Sequence, residues 1–373
     1  MPRAHVVRET KTPESFMVSK VSGLFDIPPS EKLRVEYDVE VPDEDEDWGI
    51  GLIVGPSGSG KSTIASEVFG ISEFGGWTDS PVIEDMGEHS VEEITAAMIS
   101  VGFSSPPSWL KPFAVLSNGE RFRCEMAKLI LNDDNLMVVD EFTSVVDRQV
   151  AQTASIAIAK AIRKRNRRLV AVTCHYDVAD YLEADWVLDM ATGDLSRGRV
   201  QRSAIDFKVF RCEVAAWRMF EHHHYLNRSI HRSAQCYMAT VNDKPAGICA
   251  MLPLMGRKGC WRGHRLVVLP DYQGIGLGSW LCEQVFDMHL QEGKRVFVNF
   301  SHPSLVRHSN NSSKWIATKI NKQGQKNRVS SKKDGWKLVS SSIGRSTISY
   351  EYVGDGNTCK NNQITATETP QIT

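Results

Sequence analysis

Trp48-Gly49-Ile50-Gly51-Leu52-Ile53-Val54, running into Gly55-Pro56-Ser57-Gly58-Ser59-Gly60-Lys61-Ser62-Thr63, is the stretch on which the reading of this chain turns. The first part is a short, continuous apolar run, which predicts a central strand buried on both faces. The second supplies glycines that let backbone amides curl around an anion, then a lysine and a hydroxyl, at the start of a helix predicted to reach Phe69. Such a turn and the helix N-terminus behind it hold phosphate oxygens. Lys61 can reach the outer phosphates and the Ser62 hydroxyl can hold Mg²⁺. Gly55 to Thr63 therefore predicts a triphosphate site.

Further pieces come in order along the chain. Leu136-Met137-Val138-Val139-Asp140-Glu141 is an apolar strand ending in two carboxylates. Next to a bound triphosphate, Asp140 would hold the metal through water and Glu141 would orient or deprotonate the attacking water. Leu116-Ser117-Asn118-Gly119-Glu120 opens a helix on which Phe122, Met126, Leu129 and Ile130 share a face. Taken alone, Ser117 would be an ordinary N-cap. Helical spacing over Gln149–Arg163 and a strand over Arg168–Val172 complete an alternation that predicts an α/β layered domain.

Together these segments resemble the nucleotide-binding domain of the ABC ATPase superfamily. Leu116–Glu120 is similar to its LSGGQ signature with Asn and Glu substituted, Ser144–Asp147 to its D-loop, and His175 stands where the family's switch histidine stands. The resemblance implies ATP with Mg²⁺, hydrolysis assisted by Glu141 and His175, and a head-to-tail sandwich of two such domains. In it Ser117, Asn118, Gly119, Glu120 and Asp147 of one copy would complete the site built on Lys61 of another. One set of motifs implies a homodimer, or pairing with another ABC subunit. The stretch between Lys61 and Ser117 is short and carries no assignable Q-loop glutamine, which disfavours a transporter subunit. Phe25 and Tyr37 are the aromatics considered for stacking on adenine.

In the second half, the strand His264–Leu269 leads into Pro270-Asp271-Tyr272-Gln273-Gly274-Ile275-Gly276-Leu277-Gly278 and a helix from Ser279 to His289. This resembles motif A of the GNAT acyltransferases. The resemblance implies that Leu269, Gln273, Gly274, Ile275, Gly276, Leu277 and Gly278 bind the pyrophosphate of acetyl-CoA or another acyl-CoA by the same anion logic. Ala234–Val241 and Ala246–Met251 read as the preceding strands. Arg295–Phe300 reads as the strand after it, splayed to admit the pantetheine arm. His302, His264 and the run His222-His223-His224-Tyr225 are the acid/base candidates, with His224 and His302 foremost, because imidazole titrates near neutrality. The family's tyrosine acid is not evident; Trp315 occupies that neighbourhood. The layout of His224-Tyr225-Leu226, motif A, Ser301-His302-Pro303 and Ser313-Lys314-Trp315 is also similar to Mom-like phage DNA-modification proteins, and the whole chain resembles ABC–GNAT fusions of phage-type genomes. Lys314–Lys337 holds eight Lys/Arg against one Asp, with Trp315 and Trp336 interleaved, and reads either as a nucleic-acid surface or as a solvated basic loop.

The rest of the sequence sets bounds. Its 373 residues, 41% hydrophobic and 24% charged, suit two globular domains, and a net charge of −1 points to no partner class. Eight cysteines stand singly, without CxxC or zinc spacing, as expected of reduced thiols in a cytoplasmic protein. No segment approaches the roughly 20 apolar residues needed to span a bilayer, so no membrane insertion is expected. The expected organisation is an α/β, P-loop ABC ATPase domain over 1–195, a linker over 196–205, a mixed-sheet α+β GNAT-like domain over 206–354 and a disordered tail over 355–373. Residues 16–26 and 33–41 read as half-buried strands. The function expected is a soluble ATPase fused to an acyl-CoA-dependent transferase that acts on nucleic acid or its bases. The alternatives are an ATP-switched clamp on DNA or a partner with a non-catalytic GNAT-like module and, disfavoured, a transporter subunit.

Overall fold

The computed structural model describes residues 3–11, 15–26, 32–43, 45–132, 134–224, 228–321 and 347–355. The chain forms two units, one from Met1–Trp77 with Ser117–Ser203 and the other from Thr78–Leu116 with Ala204–Thr373.

The first unit opens with an antiparallel pair, β1 (Arg3–Lys11) and β2 (Lys32–Glu40), joined through α1 (Phe16–Leu24). Then come β3 (Ile50–Val54) and α2 (Lys61–Val68). All five β3 residues are buried, as a strand covered on both faces must be. Each large apolar side chain buried there contributes roughly 1.5–3 kcal/mol. An exposed ion pair such as Arg3–Asp38 contributes at most about 1 kcal/mol, so the core dominates. Asp185 anchors the start of β3: its Oδ2 accepts from the amides of Gly49 and Ile50, each at 2.8 Å, and from Arg163 Nη1 at 2.9 Å. Burial alone would raise the pKa of this carboxyl, but Arg163 and the two amides hold it below the usual range.

After α2 the chain contributes α3 (Val91–Ser100) and α4 (Pro106–Trp109) to the other unit, and then supplies α5 (Asn118–Leu131), β4 (Leu136–Val139), α6 (Arg148–Lys164), β5 (Arg168–Thr173), α7 (Val178–Leu182), β6 (Trp186–Asp189) and β7 (Asp194–Arg197) to the first. The five strands order as β4-β5-β3-β6-β7, parallel except for the edge strand β7.

The second unit continues with β8 (Phe207–Cys212), β9 (Gln235–Val241), β10 (Lys244–Pro253), β11 (Cys260–Val268), α8 (Leu277–Gln291), β12 (Arg295–Phe300), α9 (Pro303–Asn310), β13 (Trp315–Asn321) and β14 (Thr347–Tyr352). They make one mixed seven-stranded sheet in the order β13-β14-β12-β11-β10-β9-β8. Asn242 and Asp243, both at positive φ, close the tight β9–β10 hairpin. Within this unit Phe286 of α8 packs against Trp315 and Tyr352, and Trp315 also meets Phe300 and Tyr350.

Several expectations are corrected. Residues 16–24 form a helix capped by Ser15, not a strand; every described side chain on it is exposed or half-buried, so its apolar pattern serves no core. The stretch between the phosphate turn and Ser117, to which the sequence assigns no element beyond Phe69, holds α3, started by a capping box between Ser90 and Glu93. Residues 78–116 group with the C-terminal unit although they lie inside the span assigned to the first domain, because boundaries drawn along the chain cannot register a segment that leaves and returns. Strand β7 also reaches into the segment read as a linker. Most of the expected tail, 356–373, lies outside the described residues, as do Tyr225, Leu226 and 322–337 of the basic stretch.

Candidate functional sites

In the first unit, register brings the sequence motifs to one edge of the sheet. Val54 of β3 pairs with Thr173 of β5, and Val139 of β4 with Ala171. Gly55, Asp140 and His175 therefore follow the carboxyl ends of three adjacent parallel strands, where α/β sheets place their ligands. Gly60 caps α2 in the left-handed region (φ 90°) without a side-chain cap, so the first-turn amides are left to a ligand or to solvent. A Cβ on Gly60 would also lie 2.2 Å from the ring of Tyr37. Of the two aromatics considered for adenine, Tyr37 thus sits against the phosphate turn, whereas Phe25 is 72% exposed. Lys61 folds back over the turn and donates to the Pro56 carbonyl at 2.7 Å.

Glu141 has φ 50° and Thr143 φ 64°, conformations uncommon outside glycine. Such strain concentrates at functional positions. Asp140 Oδ1 accepts from the Glu141 amide at 2.8 Å. Ser117 and Glu120 form a capping box at the start of α5, and Asp147 caps α6 by accepting from the amides of Gln149 and Val150. Asn118 and Gly119 occupy the first turn of α5. No cluster of three or more His, Cys, Asp or Glu able to cage a metal occurs among the described residues. A hydroxyl at Ser62 with one carboxylate at Asp140 fits Mg²⁺, which takes few protein ligands and completes its shell with phosphate and water.

In the second unit, β11 and β12 pair in parallel only over Cys260↔Arg295, Trp261↔Val296 and Arg262↔Phe297. Beyond these the two strands share no ladder, leaving a wedge. The wedge opens into a cavity of about 510 Å³ lined by both strands and by Gln273, Gly274, Gly276, Leu277 and Gly278. Gly276 begins α8 at φ 86° with no side-chain cap, and nothing lies within 4 Å of where its Cβ would be. The first-turn amides of a 15-residue helix are thus presented beside the cavity. Two members of the expected loop set do not line it: Ile275 is buried at 2% exposure, and the Leu269 amide pairs with the Ala246 carbonyl. Gln273 braces the loop: its Nε2 donates to the Val268 carbonyl at 3.1 Å and its Oε1 accepts from the Ser104 amide at 3.0 Å.

Residues 204–307 match the model of the Acetyltransferase (GNAT) family. This region is a GNAT acetyltransferase domain. A search of curated proteins returned no match. Among solved structures, the ribosomal-protein-S18-alanine N-acetyltransferase from Escherichia coli is 15% identical, with 42% of this chain and 100% of that one covered at a TM-score of 0.30. CbiO1 from Clostridium perfringens, part of an ABC transporter complex, is 17% identical, with 40% and 77% covered at a TM-score of 0.34. A bacterial Atm1-family ABC exporter with ATP bound is 18% identical, with 46% and 35% covered at a TM-score of 0.34.

The acetyltransferase unit separates its histidines by environment. His302 is enclosed: Ser304 Oγ lies 2.7 Å from Nδ1, and the Ser104 carbonyl accepts at 3.3 Å from Nε2. A carbonyl only accepts, so Nε2 carries the proton and Nδ1 receives the Ser304 hydroxyl. Burial lowers the His302 pKa, and the Ser104 carbonyl opposes that shift. His264 is the residue skipped where the β10–β11 register passes from Ala250↔Arg265 to Met251↔Gly263, so a bulge re-aims it. Burial, and then the charges of Arg265, Arg262, His231 and His224, lower its pKa to about 4. His224 lines the cavity with its ring 5.7 Å from Trp217, whereas His222 is exposed beside Glu221.

Trp315, interleaved in the stretch read as a nucleic-acid surface or a solvated basic loop, is 7% exposed. Its indole donates to Glu283, which also accepts from His308 at 2.6 Å and pairs with Lys314. Within the described part of the basic stretch, Trp315 therefore belongs to the core and Lys314 to an internal ion network. Sequence reasoning missed Ser104, whose partners Gln273 and His302 are 169 and 198 positions away with no local signal. It also missed Arg262, which precedes the strand read from His264, and Arg265 within that strand, neither of which carries a local signal.

Proposed function

We propose that the chain is an ATP-binding and ATP-hydrolysing protein whose acetyltransferase unit transfers an acyl group from acyl-CoA to an amine. The observation that carries the transferase reading is the wedge between β11 and β12, with the uncapped start of α8 at its mouth. The amides of Gly274, Gly276, Leu277 and Gly278 would hold the diphosphate, and Gln273 keeps that loop in shape. The thioester supplies the activated acyl carbon. The chain's part is to hold the arm in the wedge, bring the acceptor nitrogen against that carbon and take the proton that nitrogen releases; the C–N bond forms as the C–S bond breaks, and the departing sulfur is protonated from solvent. His264, aimed by its bulge beside the closed end of the wedge, suits the proton-accepting role, with His224 nearby.

The phosphate turn, the uncapped α2 and the strained Glu141 support the ATPase half. Lys61 would leave the Pro56 carbonyl for the outer phosphates, Ser62 and Asp140 would hold Mg²⁺, and Glu141 would orient water. Self-association through Ser117 and its neighbours is part of the same proposal. Isothermal titration calorimetry with acetyl-CoA tests the transferase reading, and absence of binding defeats it. Titration of Lys61→Ala with MgATP tests the nucleotide reading, since removing a charge-assisted hydrogen bond worth about 1.5–3 kcal/mol should weaken binding by about tenfold or more. Unchanged affinity would refute it.

A second reading is favoured by one observation. Both ring nitrogens of His302 are engaged and His264 Nε2 already accepts from the His231 amide at 3.4 Å, as in a unit that binds acyl-CoA as a signal and does not turn it over. Release of free CoA in the presence of amines separates the two.

A further inference from the structure

Two arginines and three histidines, with no carboxylate among them, line the wedge near where β11 and β12 meet. Arg262, His264 and Arg265 come from β11, with His223 and His224 from the segment before β9, and no Asp or Glu lines the cavity among the described residues. Arg265 donates to neutral carbonyls, that of Ser229 at 3.1 Å and that of His264 at 3.0 Å. Burial and the neighbouring Arg262 depress its pKa. Arg262 and Arg265 facing one cavity that no described carboxylate lines are an electrostatic arrangement suited to an anion.

That anion is not the diphosphate of the donor. Six residue steps of strand separate Arg262 from Val268, just before the diphosphate loop, and three separate Arg265 from Val268, about 20 Å and about 10 Å at the usual strand rise. The Arg265 guanidinium is turned to the Ser229 and His264 carbonyls. The acyl-pantetheine arm that would fill the wedge carries no charge along its length. The cations at its closed end are therefore left for the second substrate.

We propose that the acceptor is a small amine carrying its own anionic group, a phosphate or a carboxylate, which Arg262 and Arg265 hold so that the amine faces the thioester and His264. This deepens the transferase reading and rests on it. Arginine forks suit such bidentate capture. Burial chiefly lowers the His264 pKa and the charges of Arg265, Arg262, His231 and His224 add to it; binding the anion offsets those charges and raises its affinity for a proton when the acceptor is in place.

The test uses the full chain saturated with CoA, so that the diphosphate loop is occupied, and three matched amines: O-phosphoethanolamine, β-alanine and ethanolamine. Failure of CoA to bind in the first titration would defeat the transferase reading itself, a result distinct from any obtained with the amines. With CoA bound, calorimetry should show at least one of the two anionic amines binding about tenfold or more tighter than ethanolamine, and the tighter one identifies the anion. Arg262→Gln should abolish the difference, Arg262→Lys should restore part of it, and Lys258→Gln, outside the cavity lining, should leave it intact. Equal affinity for all three amines, binding by none, or a preference that survives Arg262→Gln overturns the proposal.

Discussion

Gly263→Ala should close the wedge from inside. Gly263 lies on β11, and a Cβ there would stand 2.9 Å from Val298 Cγ2, 3.4 Å from Val298 Cβ and 3.5 Å from Phe286 Cζ. Val298 is 8% exposed and Phe286 fully buried, so neither can swing into solvent. Val298 is also β-branched, which leaves it few rotamers to escape to. One added methyl in such a site costs about 1–3 kcal/mol, and a unit of this size melts about 2–4 °C lower per kcal/mol. The same methyl narrows the space offered to the acyl arm, where one methylene is worth about 1–3 kcal/mol of affinity. Thermal melts and acetyl-CoA titrations of Gly263→Ala, Val298→Ala and the double variant form a cycle. The double variant should be more stable than the sum of the singles predicts, by about 1 kcal/mol, and should recover acetyl-CoA affinity. If Gly263→Ala melts lower yet binds acetyl-CoA as tightly as the parent, the wedge is not where the arm lies.

The same geometry makes other outcomes testable. Gln273→Ala removes two hydrogen bonds and leaves the Ser104 amide unpaired, so it should lower stability by about 1–3 kcal/mol and weaken acetyl-CoA; an unchanged melting temperature would show that the brace is idle. Tyr37→Ala should weaken ATP by about 1–3 kcal/mol if the ring also stacks on the base, yet leave inorganic tripolyphosphate binding unchanged; equal losses for both ligands would assign Tyr37 to the phosphate turn alone. Burial, with neighbouring cations, holds His264 and His289 at about 4 against an ordinary 6.5. Because the unfolded chain then binds more protons, stability is present above about pH 6.5 and is lost as pH falls toward 4. Melts from pH 7.5 to 5, above the range of most carboxylates, should show the decline, and less of it in His264→Gln; a flat profile contradicts it.

What the sequence made legible was what is local. Gly55 to Ser62 and Gln273 to Gly278 announce their turns because each places glycine where the backbone must turn left-handed, and the structure puts Gly60 and Gly276 at φ 90° and 86°. Strand ends such as Asp140 could be ranked by chain order, since parallel strands deliver their carboxyl ends to one edge. Ser104 had no such signal. It sits in a segment that chain order assigns to the nucleotide half, yet its amide holds Gln273 and its carbonyl orients His302. The bulge at His264 was equally hidden, because one extra residue in a ladder changes no composition or spacing. Crowding is just as invisible to periodicity: Gly60 and Gly263 look alike in sequence, but one is pressed by Tyr37 and the other by Val298. Local rules thus located both glycine turns, while the groups proposed to choose the acceptor, Arg262, His264 and Arg265, acquire meaning only once the strand beside them is seen to part. If substrate choice resides there, exchanging those three side chains should redirect specificity without disturbing either turn, and that separability is what distinguishes a built acceptor site from a general basic surface.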